Sequence, residues 1–215
     1  MRLTEPRRSF GVVLASIVVA LVFQLAAPTT DATRLVAIAL QGTVIVLALR
    51  AAGFHKHIVE AATSALVVLG LIVAVALFGF DAIHPAAPRV VTLILILLTP
   101  VAIVAGVVRE LREDGGVTVQ SVYCGLSLYL LLGMAFAFLF GAIQDIQDAD
   151  FFTHTAGNPN DFLYFSLATL TTTGYGDFAA ASNLGRAVSV TEALIGQMYL
   201  VTVLAVIVAN VSRRR

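Results

Sequence analysis

Charge is scarce in this 215-residue chain. Asp, Glu, Lys and Arg make up 12% of the sequence and hydrophobic residues 59%, whereas a soluble domain carries about 25% charged residues. The 13 basic and 13 acidic side chains cancel at pH 7, so the balance gives no argument for a nucleic-acid partner. This composition excludes an ordinary soluble domain and predicts an integral membrane protein.

Reactive side chains are scarce as well. The single cysteine, Cys124, lies in an apolar run, so no intrachain disulfide can form and the thiol is expected to be a small buried hydrophobe. No pairing of a nucleophile with a base and no group of metal ligands stands out in the sequence. We therefore expect neither an enzyme nor an organic cofactor.

Long apolar runs, by contrast, are abundant. A helix needs about 20 mostly apolar residues to cross the ~30 Å hydrocarbon core of a bilayer, and lipid offers no partner for the open backbone groups of a strand. Six runs qualify: 10–27, 33–49, 57–80, 90–108, 117–143 and 186–211. The expected fold is an all-α membrane protein with six transmembrane helices.

Basic residues predict the orientation, since they collect on the cytoplasmic side of short loops. With six spans and the N-terminus inside, the inner side holds ten: Arg2, Arg7, Arg8, Arg50, Lys56, Arg109, Arg112, Arg213, Arg214 and Arg215. The outer side holds three: Arg34, Arg89 and Arg186. Both termini are therefore expected in the cytoplasm of a multi-pass protein of the cell membrane. A cleaved signal peptide is the alternative for the first run, but its apolar stretch is longer than a signal core.

One polar motif interrupts the apolar pattern between the last two runs. Residues 172–177 read Thr-Thr-Gly-Tyr-Gly-Asp. A dehydrated monovalent cation needs oxygen atoms in place of its water shell, and successive backbone carbonyls that point the same way provide them. Gly174 and Gly176 make that backbone accessible, because glycine adopts φ values that other residues avoid. The candidate ion ligands are Thr172, Thr173, Gly174, Tyr175 and Gly176.

This motif resembles the selectivity filter of the potassium channel superfamily, in which four such loops surround the ion. The resemblance covers about residues 117–215 and is to bacterial channels with a two-helix pore. It implies a homotetramer, K⁺ as the permeant ion and the only bound metal, and a re-entrant pore helix at 161–171. Four positions depart from the family's commonest pattern: Thr173 stands where valine is usual, Tyr164 and Phe165 where tryptophan is common, and Ala168 where some members carry glutamate.

Five residues are candidates for supporting the filter: Asp177, Thr169, Thr171, Tyr164 and Glu192. Asp177 matches the family motif and is expected to brace the outer end of the filter by hydrogen bonds. Glu192 lies within a predicted span, where a carboxyl group is costly without partners. We expect it to pair with polar groups behind the filter, for which the threonines of the pore helix are candidates. Residues 151–160, ahead of the pore helix, are expected to form a polar surface loop.

The sixth run contains the candidate gating residues. Gly196 lies 196 − 176 = 20 residues beyond the last filter glycine, which resembles the spacing of the inner-helix hinge in potassium channels. Close packing against the pore helix is the alternative role for this glycine. Helical periodicity predicts a pore-facing stripe along Gln197, Leu200, Leu204 and Val208.

The chain divides into an N-terminal part, 1–116, and a pore domain, 117–215. Four helices ahead of a pore occupy the position of a voltage sensor, but no charged residue lies between Arg89 and Arg109. Voltage acts on charge, at ~2.3 kcal/mol per elementary charge per 100 mV, so strong voltage gating is not expected. Membrane lipid is the expected surrounding, and no soluble ligand-binding domain is expected in this chain.

These features predict a potassium-selective channel subunit that conducts passively. A weakly selective monovalent cation channel is the alternative that Thr173 leaves open. A secondary transporter with a midplane site in broken helices and a non-conducting subunit are further alternatives.

Overall fold

A computed structural model describes residues 10–78, 87–114 and 118–212. Within these residues the chain forms seven helices and no strand. They are α1 Phe10–Ala26, α2 Asp31–Ala51, α3 Lys56–Phe78, α4 Ala87–Asp114, α5 Val119–Gln147, α6 Pro159–Leu170 and α7 Asn183–Ser212. The all-helical part of the predicted fold is therefore correct for the described residues.

Each of the six apolar runs coincides with a helix, and α6 is the additional short one. Within the described residues, α2 and α5 are long and apolar enough to cross a membrane, and Phe10–Ala26 and Ile94–Gly106 are shorter apolar stretches. The remaining predicted spans include residues whose side chains lie outside the described part of the chain. Six crossings therefore stay a prediction.

The start of α6 differs from the prediction by two residues, and its capping explains why. The Asn158 side chain accepts hydrogen bonds from the backbone N–H groups of Asn160 and Asp161, and Asp161 accepts one from the Asn158 N–H at 3.0 Å. Pro159, which needs no N–H partner, follows at the first helical position. This capping box begins α6 at Pro159, and Thr171 forms its C-cap.

Helix α5 is the centre of the packing. It contacts α1, α4, α6 and α7, whereas α2 packs against α1, α3 and α4. The core beside α6 is a cluster of phenylalanines in edge-on and tilted contacts: Phe140, Phe151, Phe152, Phe162 and Phe165. Hydrophobic burial in this cluster fixes α6 against α5.

The prediction that the loop ahead of α6 is a polar surface loop is wrong for its first two residues. Phe151 and Phe152 are 1% and 2% exposed, because they close the phenylalanine cluster from outside. Gln144 holds the loop to α5, since its side-chain oxygen accepts from the N–H groups of Phe151 and Gly157 and its amide donates to the Gly157 carbonyl. An isolated bridge joins Phe152 to Ala180, beyond the filter motif.

Helix α1 is joined to α5 and α6 at its two ends. The Phe10 N–H donates to Gln120 at the start of α5, at 2.8 Å. At the other end, the Asn160 amide at the start of α6 donates to the Ala27 carbonyl, also at 2.8 Å. Helices α1 and α5 therefore begin on the same side of the molecule and run in the same direction.

Candidate functional site

Residues 172–177, called the filter segment below, are anchored through their backbone to the C-terminal turns of α6. The Thr172 N–H donates to the Thr169 carbonyl at 2.9 Å. The N–H groups of Thr173 and Gly174 both donate to the Ala168 carbonyl, at 2.8 and 3.2 Å. Three successive amides of the segment thus point toward α6.

These amides determine the direction of the carbonyls. In a planar trans peptide, the carbonyl of one residue points opposite to the N–H of the next, and the described residues contain no cis peptide. The carbonyls of Thr171, Thr172 and Thr173 therefore point away from α6, toward one common side. The structure builds a row of oxygen atoms from the backbone alone.

The backbone dihedrals of the segment repeat with a period of two residues. The angle φ is positive at every second residue: 56° at Thr172, 53° at Gly174 and 83° at Gly176. Glycine adopts such angles freely, whereas a β-branched residue such as Thr172 is strained there. Strain of this kind clusters at functional sites.

The row faces open space in the single chain. Residues 171–177 are exposed, and Tyr175 is 71% exposed. Atoms added at the Cβ positions of Gly174 and Gly176 would meet nothing within 4 Å. One face of the loop is therefore held by α6, and the other is accessible.

Tyr164 and Asp177 support the outer end of the loop. The Tyr164 hydroxyl donates to Asp177 Oδ2 at 2.9 Å, and Asp177 Oδ1 accepts from the Phe178 N–H at 3.1 Å. The Tyr164 ring stacks on Tyr175, with ring centroids 6.0 Å apart and planes 12° from parallel. The hydrogen bond to Asp177 raises the pKa of the Tyr164 phenol above its ordinary value. Tyr164 lies on α6, which is too short to span a membrane.

The Thr173 hydroxyl is bonded within the chain. The Thr171 hydroxyl donates to the Leu167 carbonyl at 2.7 Å and lies 2.8 Å from the Thr173 hydroxyl. Because a hydroxyl has one hydrogen, Thr173 donates to Thr171. The remaining predicted support residue on this helix, Thr169, contributes its backbone carbonyl.

Glu192 on α7 is fully buried, and its partner is a polar group of α6, as predicted, but a serine instead of one of the threonines. Its Oε1 atom lies 2.5 Å from the hydroxyl of Ser166. Ser166 in turn lies 2.6 Å from the carbonyl oxygen of Gly133 on α5. Sequence reasoning missed Ser166; the signal for it was a small hydroxyl residue in the buried part of a short apolar helix.

Gly196 touches the end of α6. A Cβ atom added there would lie 2.6 Å from the Leu170 carbonyl oxygen, an oxygen that also accepts a hydrogen bond from Tyr129 at 2.9 Å. This contact favours the close-packing role for Gly196, and the hinge stays a prediction. Tyr129 is a second residue that sequence reasoning missed.

The other predicted gating residues follow Gly196 along α7. Gln197 and Leu200 are exposed in the single chain, as a pore-lining residue would be. The side chains of Leu204 and Val208 lie outside the described part of the structure. Within the described residues, no group of three His, Cys, Asp or Glu side chains could hold a metal ion.

Comparison with known proteins points to the same segment. Residues 125–213 match the ion channel family. The chain is also 39% identical over 83 residues to "Probable potassium channel protein 2" of Methanocaldococcus jannaschii, an overlap of 37% of this chain and 20% of that protein. The chain thus matches only a fifth of this relative's length. No solved structure shows a significant match.

These matches confirm the resemblance to the potassium channel superfamily that the filter motif predicts. With the apolar helices, they indicate a membrane protein in which residues 125–213 are similar to the ion channel family.

Proposed function

We propose that the chain is a subunit of a potassium-selective channel. The observation that carries the proposal is the row of carbonyls that points away from α6 at the start of the filter segment. Its oxygen atoms, from Thr172 through Gly176, replace the water that K⁺ sheds on entry. The Thr172 hydroxyl adds an oxygen at the inner end of the row.

Four copies complete this site. One loop presents oxygens on one side of an ion only, and a cation stripped of water needs them all round. The exposed face of residues 171–177 is the surface that a ring of symmetry-related chains would enclose. A homotetramer around a central axis is therefore part of the proposal.

Potassium selectivity is supported by two observations. The matched relative is named as a probable potassium channel. In addition, the hydroxyl of Thr173 is bonded to Thr171, so it leaves the carbonyl as the group presented to the ion, as valine would. Both favour potassium selectivity over the weakly selective alternative.

The membrane topology of the proposal has both termini in the cytoplasm. Helices α1 and α5 run in the same direction, as four crossings from α1 through α4 require. Together with the ten-to-three division of basic residues, this supports six crossings. The filter then opens on the outer side, where Asp145, Asp148 and Asp150 place negative charge, which raises the local cation concentration.

Flux into liposomes tests the proposal. Purified chain should admit K⁺ in preference to Na⁺ down a gradient, without a coupled ion. Gly174→Ala should reduce K⁺ flux about tenfold or more, because left-handed φ at a non-glycine residue costs ~1–3 kcal/mol. Gly70→Ala is the matched control, since a Cβ there meets nothing within 4 Å, and its flux should equal that of the parent chain. Equal K⁺ and Na⁺ flux through the parent chain would overturn the proposal.

A further inference from the structure

Three helices meet at the hydroxyl of Ser166. The Ser166 oxygen lies 2.6 Å from the Gly133 carbonyl oxygen on α5 and 2.5 Å from Glu192 Oε1 on α7. The side chains of Ser166 and Glu192 are both 0% exposed. The junction is closed within a single chain, before any partner chain is considered.

The number of hydrogen atoms decides what these contacts are. A serine hydroxyl carries one hydrogen, and a peptide carbonyl carries none. If Ser166 donates to Gly133, the contact with Glu192 is a hydrogen bond only when the carboxyl group supplies the hydrogen. If Ser166 donates to Glu192 instead, two oxygen atoms of Ser166 and Gly133 face each other at 2.6 Å with no hydrogen between them.

The surroundings of the second carboxyl oxygen agree with the arrangement in which Glu192 supplies the hydrogen. Glu192 Oε2 is buried and has no hydrogen-bond partner. A buried carboxylate without partners is far more costly than a buried carbonyl oxygen of a neutral acid. In the part of the chain that the structure describes, Glu192 is the one acidic side chain that is fully buried.

We infer that Glu192 is a proton-binding site: as a neutral carboxylic acid it donates a hydrogen bond to Ser166, which donates in turn to the Gly133 carbonyl. This chain of two hydrogen bonds ties α7, α6 and α5 together. It lies one turn before the contact between Gly196 and Leu170. Residue 192 on α7 therefore contacts residue 166 on α6, and one helical turn later residue 196 contacts residue 170.

The site positions α6, and through it the carbonyl row that Ala168 and Thr169 anchor. Glu192 is thus a positioning residue for permeation. That consequence rests on the proposed function, whereas the proton on Glu192 does not.

Infrared spectroscopy of the purified full-length chain at neutral pH tests the proton directly. A protonated carboxyl group has a carbonyl stretching band distinct from that of a carboxylate. We expect this band in the parent chain, its loss in Glu192→Gln, and its retention in Glu60→Gln, where the replaced side chain is exposed. If Glu192→Gln instead loses a carboxylate band and keeps the band of the protonated carboxyl group, the inference is overturned.

Ser166→Ala provides a second readout should Glu192→Gln fail to fold. Removal of the hydroxyl takes away the acceptor of the Glu192 hydrogen, so the acid band should shift toward that of a freer carboxylic acid. An unmoved band would contradict the inference.

A flux assay tests the consequence for permeation separately. Glu192→Gln keeps a hydrogen donor and should retain K⁺ flux within about twofold of the parent chain. Glu192→Leu removes the donor and leaves the Ser166 oxygen partly unsatisfied, so its K⁺ flux should fall about tenfold. Equal flux in the two variants would overturn the positioning role. If the parent chain conducts no K⁺, the proposed function fails, and the infrared band still decides the protonation.

Discussion

At the scale of single residues, the filter loop is held by side chains behind it while its own backbone faces outward. Tyr164 joins Tyr175 by ring stacking and Asp177 by a hydrogen bond. Thr171 and Thr173 are bonded to each other at the inner half. These contacts hold the loop without occupying its exposed face, and each can be removed by a small substitution.

Tyr164→Phe removes the hydroxyl and keeps the ring. The bond to Asp177 is lost while stacking on Tyr175 remains, so the outer end of the loop should loosen. We expect the K⁺/Na⁺ permeability ratio, measured from reversal potentials in planar bilayers, to fall in this variant. Tyr123→Phe, on the face of α5 that contacts Gly11, is the control and should leave the ratio unchanged. An unchanged ratio in Tyr164→Phe would mean that stacking alone supports the loop.

Thr173→Val tests whether the side chain at this position affects ion choice. Valine is also β-branched and lacks only the hydroxyl that donates to Thr171. Because the proposed ion ligand is the carbonyl of this residue, we expect the permeability ratio to change less than about twofold. A large rise in K⁺ preference, in the same reversal-potential measurement, would favour the weakly selective alternative for the native chain.

At the scale of helices, the contact between α6 and α7 fixes the position of the filter segment relative to α7. Glu192 and Gly196 lie one turn apart on the face of α7 that meets Ser166 and Leu170. Both contacts involve atoms of α6, the helix whose Ala168 and Thr169 carbonyls accept hydrogen bonds from the filter segment. A substitution on this face of α7 should therefore act on stability and conduction together.

Gly196→Ala should destabilise the protein. The added methyl group would lie 2.6 Å from the Leu170 carbonyl oxygen, and overpacking of this kind costs ~1–3 kcal/mol. Thermal unfolding in detergent measures the change.

Gly70→Ala is the matched control for this substitution. Its Cβ meets open space, and alanine favours a helix over glycine by about 1 kcal/mol, so its melting temperature should be unchanged or higher. If both variants behaved alike, close packing would not be the reason for glycine at 196.

Gln144→Leu should loosen the loop ahead of α6. The side chain makes three hydrogen bonds to the backbone of that loop, each worth about 1 kcal/mol net, so a loss of ~2–4 kcal/mol in unfolding free energy is expected. Gln147→Leu changes the same residue type at an exposed position of the same helix and serves as the control. Equal melting temperatures for the two variants would contradict the role of Gln144.

At the scale of the whole molecule, the N-terminal helices are attached to α5 and α6, and the fourth helix carries no series of charges that voltage could move. Helix α1 is bonded to α5 and to α6 at its two ends, so movement of the N-terminal part would reach the filter. The fourth helix has no charged residue between 89 and 109. Strong voltage gating by this helix is therefore not expected.

Recordings in planar bilayers test this expectation. Moving one charge through 100 mV supplies ~2.3 kcal/mol, which would change an open-to-closed ratio about fiftyfold. Without such charges, we expect open probability to vary less than about twofold over that range. A steep dependence on voltage would show that charges outside the fourth helix move.

Local patterns in the chain were sufficient for the helices and for the filter motif. Apolar runs of the length of a bilayer become helices because each backbone group is satisfied within its own segment. The motif at 172–177 is recognisable because few residues permit its backbone, and glycine is the main one. The family match then confirms the resemblance that this motif carries.

Contacts between distant parts of the chain were beyond such patterns. The pairing of Glu192 with Ser166, the position of Gly196 against Leu170, the burial of Phe151 and the bond from Asn160 to Ala27 were all missed or left open. The last of these joins residues 133 apart in sequence. Helical periodicity tells which residues share a face, but only tertiary packing decides which face of another helix they meet, because that choice depends on the fit of side chains from several helices at once.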